Sequence, residues 1–262
     1  MNAPLLACRE LDLRYGERWL VRRLDLDVQP GERWVVIGPN GAGKSSLLLV
    51  LSGARRADGG RLELGGRPIA AWGVEQLAAM RAMVADRWVD PFAMDVLESV
   101  KAARYHMQFR SPVEAGGAQR AALCARQCLQ DMDCDGLAHS DIRKLSRGER
   151  QRVALAAALA QQAALVLLDE PISHQDPRHQ LMVLQHLARH GKATFIAALH
   201  DMNAAARFAT HALLLAGDGS WRAGTAQDVL TCARLSALFS TEIVQIEVAS
   251  HRVFVAAGDA MV

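Results

Sequence analysis

The chain has 262 residues, 51% of them hydrophobic and 22% charged, with a formal net charge of +2 and a pI near 8.4. That is ordinary globular composition, long enough for one large domain or two modest ones, and its mild charge, with no basic run interleaved with aromatics, gives no footing for nucleic acid as a partner. The most apolar stretch, residues 153–168, is broken by Gln161 and Gln162 and runs into two carboxylates, and the N-terminus has no basic lead before a long apolar core, so neither a transmembrane helix nor a secretory signal is expected.

In chain order, the first segments are short strand-like bursts, LLACRELDLRY, WLVRRLDLDV and RLELGG, separated by Gly, Pro and Glu-Arg turns. Between the second and third, WVVIG is a short continuous apolar run, the pattern of a strand buried on both faces. It ends in GPNGAGKSS, and LLLVLSG continues as a helix. Gly38, Pro39, Asn40, Gly41, Ala42, Gly43, Lys44 and Ser45 match G-x-x-x-x-G-K-[ST] at every fixed position. Glycine there lets the backbone turn its N–H groups inward around phosphate oxygens with no Cβ in the way. A helix starting near Lys44 adds the positive end of its dipole. In this pattern Lys44 bridges the β- and γ-phosphates and the Ser45 hydroxyl binds Mg²⁺, so ATP and Mg²⁺ are the expected cofactors. An accidental glycine-rich turn accounts for neither the strand before the loop nor the helix after it.

Residues 90–141 read as largely helical, with AQRAALCARQCLQDM the clearest amphipathic piece and residues 111–117 (SPVEAGG) a flexible loop. Of the five cysteines, Cys124, Cys128 and Cys134 fall here. No paired short spacing or histidine partner completes a metal pattern, and they read as free, reduced thiols. LSRGERQR then opens an apolar helix, where Ser146 and Glu149 have the S-x-x-E spacing of a capping box. Gly148 adds something a cap does not need, room for a phosphate at the helix amides.

The strand ALVLLDE ends in two carboxylates on opposite faces. Asp169 is placed to hold Mg²⁺ through a water, and Glu170 to orient or deprotonate the attacking water. A solvated turn after a buried strand is the plain alternative; it gives way because a phosphate loop upstream requires such an acidic strand end. HQLMVLQHLARHG reads as a helix, ATFIAALH as a strand, DMNAAARFA as a helix and HALLLAGDGSWRAG as a strand pair. Alternating β and α units imply a mainly parallel sheet covered on both faces, with the helical middle as an insertion.

These residues, in this order, resemble the ATP-binding-cassette (ABC) family, whose signature reads LSGGQ or LSGGE before Q-R. The resemblance spans nearly the whole chain: the loop at residues 38–46 (Ser46 included), the signature at residues 145–149, and Asp169 with Glu170. It extends to Tyr15 at the position of the aromatic that stacks on adenine, a D-loop-like Ser173-His174-Gln175-Asp176, and His200 as the switch histidine. It implies an α/β fold, a P-loop NTPase core with a mainly parallel sheet, an N-terminal antiparallel β subdomain and an inserted helical subdomain. Residues 1–86 and 151–262 would form the nucleotide-binding core, and residues 87–150 the insertion carrying the signature. It further implies that two copies pair head to tail, each ATP lying between one chain's phosphate loop and the other's Ser146, Gly148 and Glu149. His200 would contact the γ-phosphate, and Asp176 would communicate across the dimer.

Three positions depart from the family pattern. Aligning RAMVAD with the usual R-A-Y-L-P-Q puts Asp86 where the Q-loop glutamine is expected; it still accepts from Mg²⁺-bound water, but is shorter and charged. Arg147 replaces the first signature glycine, and Gln175 replaces a D-loop leucine. The expectation is slower turnover or altered coupling, not loss of hydrolysis. Arg178-His179-Gln180 and His200-Asp201-Met202-Asn203 resemble the branch serving iron–siderophore, haem and cobalamin importers. That branch implies transmembrane permease subunits, a substrate-binding protein, and a peripheral place on the cytoplasmic face of the inner (plasma) membrane. The surface around residues 86–110, with Trp88, Phe92 and Met94, is the expected groove for a permease helix. The competing readings are a soluble cassette acting on nucleic acid or the ribosome, for which a second cassette or coiled-coil insertion is missing, and a catalytically weak regulatory ATPase, motivated by Asp86 and Arg147.

Overall fold

The alternation in the N-terminal bursts buries one side of each ribbon. In the computed structural model, which describes residues 3–86, 92–105, 117–191, 193–248 and 251–257, β1 (Leu6–Tyr15) and β2 (Arg18–Val28) pair antiparallel across a tight turn at Gly16. Trp88 and residues 106–116 lie outside that described set; Gly117, expected in the loop, instead opens a helix. Leu11, Leu13, Val21 and Leu24 are buried between the strands and the core. β4 (Gly59–Leu64) joins the other edge of β1, and β5 (Arg67–Pro68) follows it, giving the order β2-β1-β4-β5. Register slips between Cys8 and Leu11, where Glu10 takes φ 47°, and again between Leu11 and Leu13, where Arg23 on the facing strand takes φ 49°. These are bulges, which strengthen the local twist of the ribbon.

By backbone proximity the chain gathers into two units, residues 1–70 with 195–262, and residues 71–194. In the first, the apolar run becomes β3 (Arg33–Ile37), flanked in parallel by β8 (Thr194–Ala198) and β9 (His211–Leu215), with β10 (Trp221–Thr225) antiparallel to β9. Trp34, Val35, Val36 and Ile37 are all buried, as a strand covered on both faces requires. The α/β class, the parallel strands, the N-terminal antiparallel sheet and the helical region are thus as the sequence predicts.

The second unit holds a parallel pair, β6 (Arg81–Val84) and β7 (Leu165–Asp169), and the helices Val74–Met80, Val96–Ala102, Gly117–Asp131, Arg147–Ala160 and Pro177–Arg189. The Arg147–Ala160 helix is buried along most of its length, including Gln151 and Arg152, and Arg152 Nε donates to the Met132 carbonyl at 3.1 Å. Two C-terminal elements go unread in the sequence. They are the helix Cys232–Phe239 and a hairpin of β11 (Ile243–Val248) and β12 (His251–Ala256), which is fastened by Asn203: its amide donates to Phe254 O at 3.1 Å and accepts from Phe254 N at 2.7 Å. No described helix is long and apolar enough to cross a membrane.

Candidate functional site

In the first unit, parallel pairing sets Val36 opposite Ala198, and the Leu199 amide donates to the Val36 carbonyl at 3.1 Å. The chain therefore leaves β3 into the phosphate loop and β8 into His200 at the same sheet edge. That is where open α/β sheets bind ligands, beyond the carboxyl ends of the strands. Gly41 and Gly43 have φ of +75° and +99°, and a Cβ on Gly43 would come within 2.8 Å of the Leu20 Cβ. A Cβ on Gly38 would stand 2.3 Å from the Leu215 carbonyl oxygen. The turn and its close packing both demand glycine at these positions. No side chain caps the helix Lys44–Leu51 that follows.

Lys44 is only 7% exposed; its Nζ donates to the carbonyls of Gly38 (2.8 Å) and Pro39 (3.3 Å) and stands 3.4 Å from His200 Nδ1. The predicted lysine and the predicted switch histidine are therefore brought together. Tyr15, at the end of β1, is 74% exposed and offers an open ring face. Arg18 was not read as a site residue. Its Nε donates to the Gly217 carbonyl at 2.9 Å, and a Cβ on Gly217 would collide with Arg18 and with Ala42 of the loop. That wall joins positions 199 residues apart, so no local pattern announces it.

In the second unit, Val84 of β6 lies opposite Leu168 of β7, so Asp86 and Asp169 follow neighbouring parallel strands at one edge. Asp86 is exposed and Asp169 buried. Glu170 has φ +52°, the left-handed region, which costs a non-glycine residue about 1–2 kcal/mol. Its carbonyl oxygen is held by three donors: Ser173 Oγ (2.8 Å), Ser173 N (3.2 Å) and Gln151 Nε2 (3.3 Å). The backbone of the predicted base is thereby fixed in an uncommon conformation, and one clamp comes from the helix carrying LSRGE. Replacing Gln151 by alanine removes one of the three, a loss of about 0.5–1.5 kcal/mol. We expect hydrolysis to slow about 3- to 10-fold while the nucleotide Kd moves less than about twofold, measured by coupled phosphate release and by calorimetry.

The capping box forms as its spacing predicts. Ser146 N and Oγ donate to Glu149 Oε2 at 2.9 and 2.7 Å, and Glu149 N donates back to Ser146 Oγ at 3.3 Å. The Ser146 hydrogen bonds hold the Glu149 carboxyl below its usual range. Arg147 is exposed at the first helical position. Gly148 has a reason of its own within the chain: a Cβ there would lie 3.0 Å from the His174 carbonyl oxygen, so the D-loop can approach only a glycine this closely.

Gln175 Nε2 donates to the Pro171 carbonyl at 3.1 Å, while its Oε1 is buried with no hydrogen-bond partner among the described residues. Asp176 is the N-cap of the Pro177–Arg189 helix, its Oδ1 accepting from His179 N at 2.9 Å and its Oδ2 lying 2.7 Å from His179 Nδ1. These bonds from His179 hold the Asp176 carboxyl below its usual range. His179 Nε2 also lies 3.2 Å from Asp133 Oδ2, tying the helix to the segment after Asp131.

The residues present fit a triphosphate and a hard divalent cation. In the first unit the loop's Gly38 and Gly43 admit no Cβ and a buried ammonium lies beside them; of the metal candidates, Ser45 there and, in the second unit, Asp86 and Asp169 each offer only side-chain oxygen, the donor type that suits Mg²⁺.

Known proteins resemble this chain. Residues 21–173 match the profile of the ABC transporter family. The chain is 39% identical over 216 residues to the hemin import ATP-binding protein HmuV of Pseudomonas entomophila (strain L48), covering 79% of this chain and 82% of that protein. It is 32% identical over 243 residues to the iron(3+)-hydroxamate import ATP-binding protein FhuC of Bacillus subtilis (strain 168), covering 90% and 88%. A solved structure assigned as a metal-chelate type ABC transporter, in an inward-facing conformation, aligns with a TM-score of 0.81 at 27% identity, covering 98% of this chain and 99% of that chain.

Proposed function

Because the chain belongs to the ABC transporter family, we propose that it is the ATP-hydrolysing subunit of an importer for a metal chelate of the haem, ferric-siderophore or cobalamin kind. The observation carrying this is the glycine loop with Lys44 buried beside it and His200 against its Nζ, in a chain whose relatives are named as import ATP-binding proteins.

Site roles are assigned residue by residue. The backbone N–H groups of residues 38 and 40–46 and the Lys44 ammonium take the phosphate charge, with Pro39 shaping the turn, which is the main catalytic contribution open to a protein in phosphoryl transfer. Tyr15 stacks on the adenine. Mg²⁺, when bound, would neutralise phosphate charge, and Ser45, Asp169 and Asp86 would hold it directly or through water. Glu170 accepts the proton of the attacking water, and His200 contacts the γ-phosphate. Ser146, Gly148 and Glu149 face the nucleotide of a second copy in a head-to-tail dimer, and Asp176 works across it.

Residues 87–150 act as the helical insertion against a core of residues 1–86 and 151–262. Phe92 and Met94 are exposed and support a permease-facing surface there. The dimer docks on transmembrane permease subunits at the cytoplasmic face of the inner membrane, served by a substrate-binding protein. The test is co-expression with the multi-span protein encoded nearest to it, followed by reconstitution in vesicles. We expect stable co-purification and ATP-dependent uptake of one among haem, a ferric hydroxamate and cobalamin. Failure of every such membrane protein to co-purify would overturn the importer assignment.

A further inference from the structure

Two thiols and a guanidinium meet in the unit formed by residues 71–194, and none of them has a role in the assignments above. Cys124 and Cys128 lie one turn apart on the Gly117–Asp131 helix, Cys124 half-buried and Cys128 buried. Arg104, just past the Val96–Ala102 helix, donates from Nη1 to Cys124 Sγ at 3.1 Å and to the Ala160 carbonyl at 2.8 Å. Gln162 Nε2 stands 3.9 Å from the same sulfur. The last carbonyls of a helix have no intrahelical partner. Arg104 satisfies one at the end of the Arg147–Ala160 helix while it also holds the thiol.

We propose that Cys124 is a modification site: a thiolate that hydrogen peroxide oxidises to a sulfenic acid and that a low-mass thiol then caps as a mixed disulfide. Among the described residues, the groups facing it are Cys128 on its own helix, Asp131 one turn further on, Arg104 and Gln162. The neighbouring Cys128 thiol and the Arg104 guanidinium hold the Cys124 thiol below its usual range, against burial and Asp131, and Cys128 is pushed up in turn. The other buried thiols are protected, Cys8 pushed up to about 12 and Cys134 raised, in each case chiefly by burial.

The chemistry balances without help from elsewhere in the chain. Cys124 Sγ attacks one peroxide oxygen, an S–O bond forms as the O–O bond breaks, hydroxide leaves, and the sulfur gives up two electrons. The low-mass thiol then attacks that sulfur; the S–S bond forms, the S–O bond breaks, and the departing hydroxide takes the thiol proton as water. Cys128 does not resolve the sulfenic acid itself. Side chains four apart on a helix keep their Cβ atoms about 5–6 Å apart, whereas a disulfide needs about 3.5–4.5 Å. Capping Cys124 removes the anion from Arg104 and adds bulk beside its bond to Ala160.

The test uses the reduced full-length protein, treated with hydrogen peroxide in the presence of dimedone, with peptide mapping by mass spectrometry. Cys232, also half-buried, is the reference within the same molecule. We expect the adduct predominantly on Cys124. Alkylation by iodoacetamide near pH ~6.5 should run about fivefold faster at Cys124 than at an ordinary thiol, the larger thiolate fraction outweighing its lower intrinsic nucleophilicity. In Arg104→Gln the Cys124 rate should fall towards that of Cys232. An adduct absent from Cys124, or no greater there than on Cys232, overturns the proposal. The wild-type mapping decides this even where Arg104→Gln fails to fold; in a folded Arg104→Gln, an unchanged rate also overturns it.

Discussion

Replacing Lys44 by alanine will abolish measurable ATP hydrolysis and raise the nucleotide Kd about 10- to 100-fold, the range expected when a charge-assisted hydrogen bond worth about 1.5–3 kcal/mol is lost. The side chain is preset for this role. It is nearly enclosed, and its ammonium is aimed by the Gly38 and Pro39 carbonyls and by His200, so little conformational entropy remains to be lost when phosphate binds. The larger effect falls on hydrolysis because the positive charge matters most as charge shifts onto the leaving oxygens. Isothermal titration with ATP and a phosphate-release assay measure the two effects separately. Circular dichroism provides the control for folding. An unchanged affinity in a folded variant would remove the basis for every role assigned around the loop.

Replacing Glu170 by glutamine will leave ATP binding near the wild-type level and lower kcat about 10²- to 10⁴-fold, the usual contribution of a positioned general base. The amide keeps the shape of the carboxylate but does not accept the proton of the attacking water. The backbone should tolerate the change, since the grip on residue 170 is through its carbonyl oxygen and not its side chain. With ATP retained and uncleaved, the head-to-tail pair should persist, read as a doubling of mass by light scattering when ATP and Mg²⁺ are added. Equal rates for wild type and variant would favour the regulatory reading, with little or no catalysis, that Asp86 and Arg147 raise.

Much of this was legible in the residues because the requirements are local. A strand, a glycine turn and a helix start suffice to define the phosphate loop, and S-x-x-E suffices for the cap of the LSRGE helix. Asp169 and Glu170 stand out because carboxylates at the end of an apolar run are costly unless used. The features that escaped are non-local. Nothing near Arg18 signals that Gly217 will come to it from 199 positions away, and nothing near Asn203 signals Phe254, 51 positions on. The C-terminal hairpin escaped for the same reason: its ties to the rest of the chain, Asn203 to Phe254 and Ser236 to Ile243, join separate segments. Gly148 was legible as a special position but with only half its reason, since the His174 carbonyl arrives from another segment. The positive φ of Glu170 likewise depends on Gln151 and Ser173 acting from two directions.

The hold of Gln151 on the Glu170 carbonyl links two duties of one subunit. The first turn of the Arg147–Ala160 helix is the part we assign to a neighbour's nucleotide, and five residues after Ser146 the same helix grips the backbone of the subunit's own base. If that turn lies against a second copy's nucleotide, as we propose, a displacement of it on pairing would reach the Glu170 backbone through Gln151, and the two copies' hydrolysis would be coupled through one helix.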